Sequence, residues 1–454
     1  MRALLLRGGR VIDPAGGIDG AFDLLARDGE IAAIAPSRAL PAPDDAELID
    51  CAGRWILPGL IDPHVHLRDP GFPEKETIAS GLRAAAAGGF TTVAAMANTN
   101  PVDDMPEIAR YMIERARAAG GARLIPVSAV TRGLAGRELV DFAAMAAAGA
   151  RLFSDDGIPI DDEAILSAAC ERAASVGFAI SLHEEDRALT GHGCCHAGAV
   201  AKRLGVAGIP TAAEAARIRR DLAIAVGSGA PVHIAHISTA EGLALVRAAR
   251  ARGANVTCEA APHHFTLDAA AFARYGPNAK MAPPLRSADD VAAIRAGLAD
   301  GSIDMIATDH APHDPGSKRM ARFGALFPGD REAAPLAAAD AEALAGAANG
   351  VVGLETALGL ALELVHNRTI DAPRLAALMA ANPARLLRLE RQGTLMPGAF
   401  ADITVIDPDA EWTVAPENFL SKSRNTPFGG RRLKGMAALT IVNGQIVSRA
   451  HRDQ

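Results

Sequence analysis

The chain has 454 residues, enough for one large domain with a smaller companion and for a substantial buried core. Hydrophobic residues make up 49% of it and charged residues 22%, as in ordinary globular proteins, and the formal net charge of −7 argues against a nucleic acid partner. The five cysteines show no framework spacing, and neither a signal-peptide pattern nor an apolar run of roughly 20 residues occurs, so we expect a cytoplasmic protein.

Both ends of the chain carry short β-type runs separated by turn residues. Near the start, Gly16-Gly17 and Asp28-Gly29 interrupt such runs. Near the end, Asn443-Gly444 lies between two apolar runs, which is the strongest short signal for a hairpin. We therefore predict that residues 1–55 and 394–454 are both β and share one small domain.

Between these ends, from 56 to 393, strand-like apolar runs alternate with Ala-rich stretches of helical period. The predicted strands are Trp55 to His64, Thr91 to Ala97, Arg123 to Ala129, Ala150 to Ser154, Phe178 to His183, Pro231 to His236, Asn255 to Glu259 and Ile303 to Thr308. The clearest predicted helices are Ile78 to Ala87, Pro106 to Ala119, Ala164 to Ala174, Thr211 to Val226 and Ala288 to Leu298. Alternating units indicate a parallel sheet, and eight of them favour a (β/α)8 barrel over a doubly wound open sheet.

Side chains that can bind metals recur where the predicted strands end. They are His64, His66, Asp156, His183, His236 and Asp309. Because a strand repeats every two residues, His64 and His66 project to the same face and can hold one ion together. Imidazole and carboxylate ligands suit zinc, although iron, manganese and cobalt are compatible with the same set. One histidine at a strand end is more often a hydrogen-bonded core residue, but six such residues together favour a metal centre.

Several segments carry a resemblance that covers nearly the whole chain. They are Asp62 to Gly71 (DPHVHLRDPG), Ala87-Gly-Gly-Phe-Thr-Thr-Val, Met96-Ala-Asn-Thr, Phe153-Ser-Asp-Asp-Gly, His183-Glu-Glu, His233-Ile-Ala-His-Ile-Ser-Thr, Pro283-Pro-Leu-Arg, Thr308-Asp-His-Ala-Pro-His and Gly353-Leu-Glu-Thr-Ala. In combination they resemble the amidohydrolase superfamily, and within it the longer-chain class of dihydroorotases. The resemblance implies an α/β fold: a metal-bearing, TIM-like (β/α)8 barrel with a small β-sandwich domain built from both chain ends.

The resemblance also implies one or two zinc ions per subunit. One metal would be held by His64, His66 and Asp309, and a second by the other two histidines, His183 and His236. Many relatives bridge the two metals with a carboxylated lysine, but this chain has Asp155-Asp156 at that place. Adjacent strand residues point to opposite faces, so only one aspartate can bridge, and we favour Asp156 because it matches the aspartate before glycine in the family motif.

The implied reaction is the interconversion of (S)-dihydroorotate and N-carbamoyl-L-aspartate in de novo pyrimidine biosynthesis. Asp309 would act as general base and then as general acid. Arg68 lies two residues beyond His66 and can form a paired contact with the substrate's carboxylate. The family comparison adds Asn98 and His313 to that anchor. The alternative for Arg68 is a surface ion pair with Asp69.

Other functions fit the pattern less well. One is a hydantoinase, dihydropyrimidinase or allantoinase, and another is a non-catalytic dihydroorotase-like subunit that supports aspartate transcarbamoylase. The resemblance itself implies a homodimer with a small-molecule substrate and a possible association with aspartate transcarbamoylase.

The chain departs from its relatives at Ala282, where they usually carry Asn, and in an Ala-rich insertion from about Arg322 to Ala345. Gly191 to His196 (GHGCCH) is interpreted as a solvent-exposed loop rather than a second zinc site.

Overall fold

A computed structural model describes residues 2–450. Its strands are β1 (Ala3–Asp13), β2 (Ile18–Arg27), β3 (Glu30–Pro36), β4 (Ala46–Asp50), β5 (Trp55–Pro58), β6 (Leu60–Val65), β7 (Phe90–Ala95), β8 (Arg123–Ser128), β9 (Leu152–Phe153), β10 (Ile180–Leu182), β11 (Cys195–His196), β12 (Gly208–Ile209), β13 (Val232–Ile234), β14 (Val256–Ala260), β15 (Met305–Ile306), β16 (Ile403–Thr413), β17 (Arg432–Val442) and β18 (Gln445–Arg449). Its α-helices are α1 (Ile78–Ala87), α2 (Pro106–Ala119), α3 (Phe142–Ala148), α4 (Glu163–Ser175), α5 (Arg187–Thr190), α6 (Ala199–Leu204), α7 (Ala212–Ser228), α8 (Ala240–Ala251), α9 (Pro262–Thr266), α10 (Ala270–Tyr275), α11 (Ala288–Asp300), α12 (Met320–Phe323), α13 (Ala338–Ala345), α14 (Ala357–His366), α15 (Ala372–Ala376) and α16 (Asn382–Leu386).

Eight parallel strands form the barrel, in the spatial order β6, β7, β8, β9, β10, β13, β14, β15. The order follows the chain because each strand is connected to the next through helical segments on the outside. The ring closes where Val65 pairs in parallel with His310, and the amide of His66 donates to the carbonyl of His310 at 2.8 Å. The predicted (β/α)8 barrel is confirmed, and all eight predicted strands have counterparts in it.

One predicted strand is in fact two. The sequence predicts a single strand from Trp55 to His64. In the structure, β5 ends at Pro58 and joins the chain-end sheet, whereas β6 begins at Leu60 and belongs to the barrel. The break falls at Gly59, whose amide donates to the carbonyl of Asp402. A side chain at Gly59 would meet Thr91, since an added Cβ would lie 2.2 Å from its Oγ1. Glycine thus permits the close approach at which the chain changes sheets.

The two chain ends build one mixed eight-stranded sheet. Its order is β18, β17, β16, β5, β1, β2, β3, with β4 paired alongside β1. Strand β5 connects the halves because it pairs in parallel with β1 and antiparallel with β16. Apolar side chains from both ends, such as Leu24 and Ile441, share one buried cluster. The small β domain from both ends is therefore present, while the division of the chain at residues 55 and 393 stays a prediction.

A lobe beside the barrel mouth contains the Ala-rich insertion. Helices α12 and α13 pack with α6, α10 and the short β11–β12 sheet around a separate apolar cluster that includes Phe272, Phe323 and Leu344. Cys194 and Cys195 lie inside this cluster at 2% and 3% exposure. The expectation of a solvent-exposed loop from Gly191 to His196 was therefore wrong at the two cysteines, because apolar packing of the insertion covers them. Across residues 2–450, the helices all fall short of the length and apolar character that a membrane crossing requires.

Candidate metal centre and active site

Six predicted metal ligands converge at the carboxyl-terminal end of the barrel. His64 lies within β6, and the other five follow β6, β9, β10, β13 and β15 within a few residues. All six are buried: His64, His66, Asp156, His183, His236 and Asp309. Since parallel strands bring their carboxyl ends to one rim, residues spread over nearly 250 positions meet at one place.

The side chains form two groups of potential ligands, and Asp156 belongs to both. In the first group, Asp156 Oδ1 lies 3.5 Å from His64 Nε2, and Asp156 Oδ2 lies 3.4 Å from His66 Nε2. In the second group, Asp156 Oδ1 lies 3.3 Å from His183 Nδ1 and 3.6 Å from His236 Nε2. Asp309 Oδ1 adjoins the first group, 3.1 Å from His66 Nε2. This arrangement is suited to two ions that share one carboxylate.

The donor atoms of the two groups are better placed to bind a metal than to form hydrogen bonds with each other. His64 Nε2 and Asp156 Oδ1 are buried, and neither has a hydrogen-bond partner among the described residues. Buried polar atoms are normally satisfied, so unpaired ones that face a common centre indicate a missing ligand or ion. Imidazole nitrogen and carboxylate oxygen are the ligand types that zinc and related divalent ions take in catalytic sites.

Neighbouring groups fix the orientation of the first two histidines. His64 Nδ1 lies 2.8 Å from Glu259 Oε1, and His66 Nδ1 lies 2.8 Å from Asn98 Oδ1. In the metal-bound protein each Nδ1 would carry the proton and donate it, which would leave each Nε2 lone pair free for the ion. Glu259 also faces His233 Nε2 at 3.0 Å, so His233 serves the structure of the site and does not belong to either ligand group.

The two adjacent aspartates have different surroundings. Asp155 Oδ1 accepts hydrogen bonds from the backbone amides of Val130 at 2.8 Å and Thr131 at 3.0 Å, and the Thr131 hydroxyl donates to its other oxygen. These bonds tie Asp155 to the loop after β8. Asp156 faces the histidines instead. The two aspartates follow the end of β9 at Phe153, so strand alternation does not explain their different directions, but Asp156 is the one that lies between the two groups.

The surroundings of Asp309 keep its side chain ionised. Burial raises the pKa of this carboxyl, but a hydrogen bond with His66 and attraction to His64 outweigh burial and hold the pKa well below its usual range. The backbone of Asp309 is left-handed, with φ of 47°, as is that of His236, with φ of 31°. Such conformations cost non-glycine residues free energy and persist where the surrounding structure holds them, often at functional sites.

Arg68 and His313 lie together at the edge of the metal centre. Arg68 Nη2 lies 3.3 Å from His313 Nε2, and Arg68 Nε donates to the carbonyl of Pro312. Burial lowers the pKa of Arg68 to about 10, so it remains a cation at neutral pH. Burial, then repulsion by Arg68, lowers the pKa of His313 to about 2, which keeps the imidazole neutral.

The alternative for Arg68, an ion pair with Asp69, does not form. Asp69 accepts hydrogen bonds from the amide of Ile78 at 3.1 Å and from the hydroxyl of Tyr111 at 3.0 Å. Arg68 has no carboxylate partner within ion-pair distance in the part of the chain from 2 to 450. A half-buried guanidinium with free donors is a suitable binding partner for a ligand's carboxylate.

Three further side chains support the site and were not predicted to do so. Glu259 holds His64, as described above. Asn425 accepts from the amide of His313 at 3.0 Å and donates to the carbonyls of Ala311 and Gly350, which fixes the loop after β15. Glu76 lies 3.5 Å from His310 Nε2, so His310 faces away from the metal centre. For Glu259 the sequence offered a signal, its place at the end of a predicted strand.

Comparison with known proteins agrees with this geometry. A family model described as "Dihydro-orotase-like" matches residues 53–242. A dihydroorotase from Citrifermentans bemidjiense is 47% identical over 447 residues, covering 98% of this chain and 100% of that protein. The chain belongs to the dihydroorotase family. A dihydroorotase from Anaeromyxobacter dehalogenans is 46% identical and covers 98% of this chain and 97% of its own length. The resemblance to dihydroorotases and the predicted class, a cyclic amidohydrolase, are confirmed.

Solved structures of related enzymes share the fold of this dihydroorotase family member. An L-hydantoinase (dihydropyrimidinase) from Arthrobacter aurescens superposes with a TM-score of 0.84 at 25% identity, covering 99% of this chain and 96% of that one. A dihydropyrimidinase from Brevibacillus agri gives a TM-score of 0.81 at 22% identity, covering 98% and 95%. The second likeness shows the fold alone.

Proposed function

We propose that the protein is a zinc-dependent dihydroorotase that interconverts (S)-dihydroorotate and N-carbamoyl-L-aspartate in pyrimidine biosynthesis. One observation carries the proposal: a buried two-part cluster of histidines around Asp156 lies beside an arginine that has no carboxylate partner among residues 2–450. The cluster suits opening of an amide, and the arginine suits a substrate that carries a carboxylate. Relatives named dihydroorotase, 46–47% identical over nearly the full chain, support the same reaction.

The residues that would hold the metals are those of the two ligand groups. His64, His66 and Asp309 would hold one ion, His183 and His236 a second, and Asp156 would bridge them. When bound, a divalent metal lowers the pKa of a water molecule and polarises the amide carbonyl. Glu259 and Asn98 would keep the first two imidazoles in the tautomer that binds the ion.

Asp309 would move the proton in both directions. In hydrolysis, water adds to the ring amide carbonyl, the ring carbon–nitrogen bond breaks, and the proton taken up by Asp309 passes to the departing ureido nitrogen. In the reverse direction, Asp309 removes a proton from that nitrogen as it attacks the side-chain carboxyl, and water leaves. The low pKa of Asp309 keeps its carboxylate ionised at neutral pH, so it enters hydrolysis unprotonated.

Arg68 and His313 would hold the substrate's ring carboxylate. Arg68 offers the charge-assisted contact, and His313 adds a neutral imidazole next to it. Asn98 already binds His66 through Oδ1, so only its amide nitrogen remains for the substrate. A carboxylate anchor of this kind distinguishes dihydroorotate from hydantoin and dihydrouracil, whose rings carry no such group.

The test is steady-state turnover of purified, metal-replete protein with four substrates: carbamoyl-aspartate, dihydroorotate, hydantoin and allantoin. We expect activity with the first two and at least a hundredfold loss of kcat/KM in Arg68→Ala, about 3 kcal/mol for a charged contact. A protein that is silent with dihydroorotate but hydrolyses hydantoin would overturn the proposal. Inactivity with all four, together with stable binding to aspartate transcarbamoylase, would favour the non-catalytic subunit.

The proposal also covers the oligomeric state, the cellular location and the protein partner of the enzyme. A homodimer, a cytoplasmic location and an association with aspartate transcarbamoylase are implied by the resemblance to the longer-chain dihydroorotases. Light scattering of the purified protein, alone and mixed with the transcarbamoylase, measures the first and the last of these. A monomer that does not bind the transcarbamoylase would contradict both.

A further inference from the structure

Two buried lysines lie in the lobe beside the barrel mouth. Lys318 is 0% exposed, and its Nζ lies 2.8, 3.2 and 2.9 Å from the carbonyl oxygens of Pro277, Lys280 and Ala348. Lys280 is 4% exposed and donates to the carbonyl oxygens of Ala345, at 2.9 Å, and Ala347. An ammonium group has three donors, so Lys318 uses all of them on the backbone.

Neither lysine has an acidic partner. Among residues 2–450, no carboxylate forms an ion pair with either ammonium group. Buried charges are normally paired, because removal from water is costly and carbonyl dipoles compensate only in part. Burial, then repulsion by Lys280 and Arg68, lowers the pKa of Lys318 well below its usual range, and burial lowers that of Lys280 to about 8. The three carbonyl oxygens around Lys318 Nζ can accept all three N–H groups of an ammonium, but among residues 2–450 no carboxylate balances its charge.

The charge of Lys318 acts on the proposed carboxylate anchor. Repulsion between Lys318 and Arg68 is one cause of the lowered pKa of Lys318, and the charge of Lys318 disfavours a proton on His313, which contacts Arg68 at the edge of the metal centre. The charge of Lys280 acts instead on Lys318 itself and on Cys194, Cys195 and Arg319. The two lysines thus share burial and backbone contacts but differ in whether they influence the anchor.

Lys318 also connects the segments that surround His313. Its ammonium group joins the carbonyls of residues 277, 280 and 348, and the amide of Gly350 donates to the Lys280 carbonyl at 2.9 Å. Asn425 then links Gly350 to the His313 loop. The ammonium therefore lies in the same hydrogen-bonded unit as the histidine of the anchor.

We propose that Lys318 determines specificity for anionic substrates without touching them. Its buried ammonium adds to the positive potential at Arg68 and holds the segments around His313 in place, so that a bound carboxylate balances a charge that the protein leaves uncompensated. The ring substrate carries one carboxylate and the open-chain acid carries two, so both are attracted. Lys318 is a positioning residue, because its donors are all occupied.

The experiment compares Lys318→Met with Lys280→Met as a matched control, since each removes one buried ammonium and its backbone contacts. Full-length, metal-replete proteins are assayed with carbamoyl-aspartate, and succinate is used as an inhibitor that carries two carboxylates and no amide. We expect Lys318→Met to raise KM and the succinate inhibition constant about tenfold, as loss of one charge near the anchor implies, with kcat within about threefold. Lys280→Met should leave both constants within about twofold.

The inference rests on the proposed dihydroorotase activity, and the two can fail separately. If the unaltered protein does not turn over carbamoyl-aspartate, the proposed function falls and this inference with it. If it does, but the two lysine variants change KM equally or not at all, only the inference is overturned. Should Lys318→Met not fold, Lys318→Gln, which retains an amide donor, replaces it. If that variant is unfolded as well, the lysine serves the fold and the specificity role is refuted.

Discussion

Replacement of Glu259 by glutamine should weaken metal binding without removing any metal ligand. The carboxylate of Glu259 is buried and lies 2.8 Å from His64 Nδ1 and 3.0 Å from His233 Nε2. Attraction to these histidines outweighs burial and lowers the pKa of Glu259 to about 2, so its bonds are charge-assisted. Glutamine has the same shape but no charge, and one of its two polar groups is a donor that must face an imidazole.

The loss of one charge-assisted bond is worth about 1.5–3 kcal/mol, which agrees with the 10–100-fold loss of metal affinity typical for partners of ligating histidines. The assay is competition between the protein and a chromogenic chelator for zinc. Asp13→Asn is the control: Asp13 is a buried carboxylate that binds Leu395 and Thr394 in the chain-end sheet, so its loss should lower stability only. Equal zinc affinity in Glu259→Gln and the unaltered protein would refute the reasoning.

Three other predictions test separate parts of the molecule. Asp155→Ala should lose about 2–4 kcal/mol of unfolding free energy in urea, because it removes three buried hydrogen bonds, yet keep its metal content. In steady-state kinetics with carbamoyl-aspartate, the factor by which Asn425→Ala raises KM should be about ten times the factor by which it lowers kcat. The reason is that the His313 loop loses its support. Burial raises the pKa of Asp103 to about 7 from 3.8, so the stability that it contributes is present below pH 4 and is lost as pH rises to 7. In urea unfolding, the unfolding free energy of Asp103→Asn should therefore rise relative to that of the unaltered protein by a few kcal/mol between pH 4 and pH 7. A difference that does not change with pH would exclude the burial of Asp103 as the cause.

The strands and the metal-binding residues could be predicted because their signals are local. An apolar run followed by a histidine or aspartate needs no distant partner to be recognised, and this pattern located His64, His183 and His236 at strand ends. Helices α1 and α2 begin and end where the helical period of the sequence predicts. The break at Gly59 was missed because both neighbouring segments are apolar, and only the pairing of β5 with β16 separates them.

The support of the site could not be predicted, since it depends on contacts between remote residues. Glu259 reaches His64 across 195 positions, and Asn425 reaches His313 across 112. No motif near Asn425 or Lys318 indicates what either side chain contacts. The insertion looked like a departure from the family pattern, and only its packing against Cys194 and Cys195 shows that it completes a lobe beside the active site.

The proposed chemistry depends on Asp156 joining two metal sites at the barrel mouth. Crystals grown with zinc and measured at the zinc absorption edge would locate the ions directly by anomalous scattering. We expect two peaks, one beside His64 and His66 and one beside His183 and His236, with Asp156 between them. A map with no peak among these histidines, or with an ion bound to Asp155 instead, would show that Asp156 does not join two metal sites.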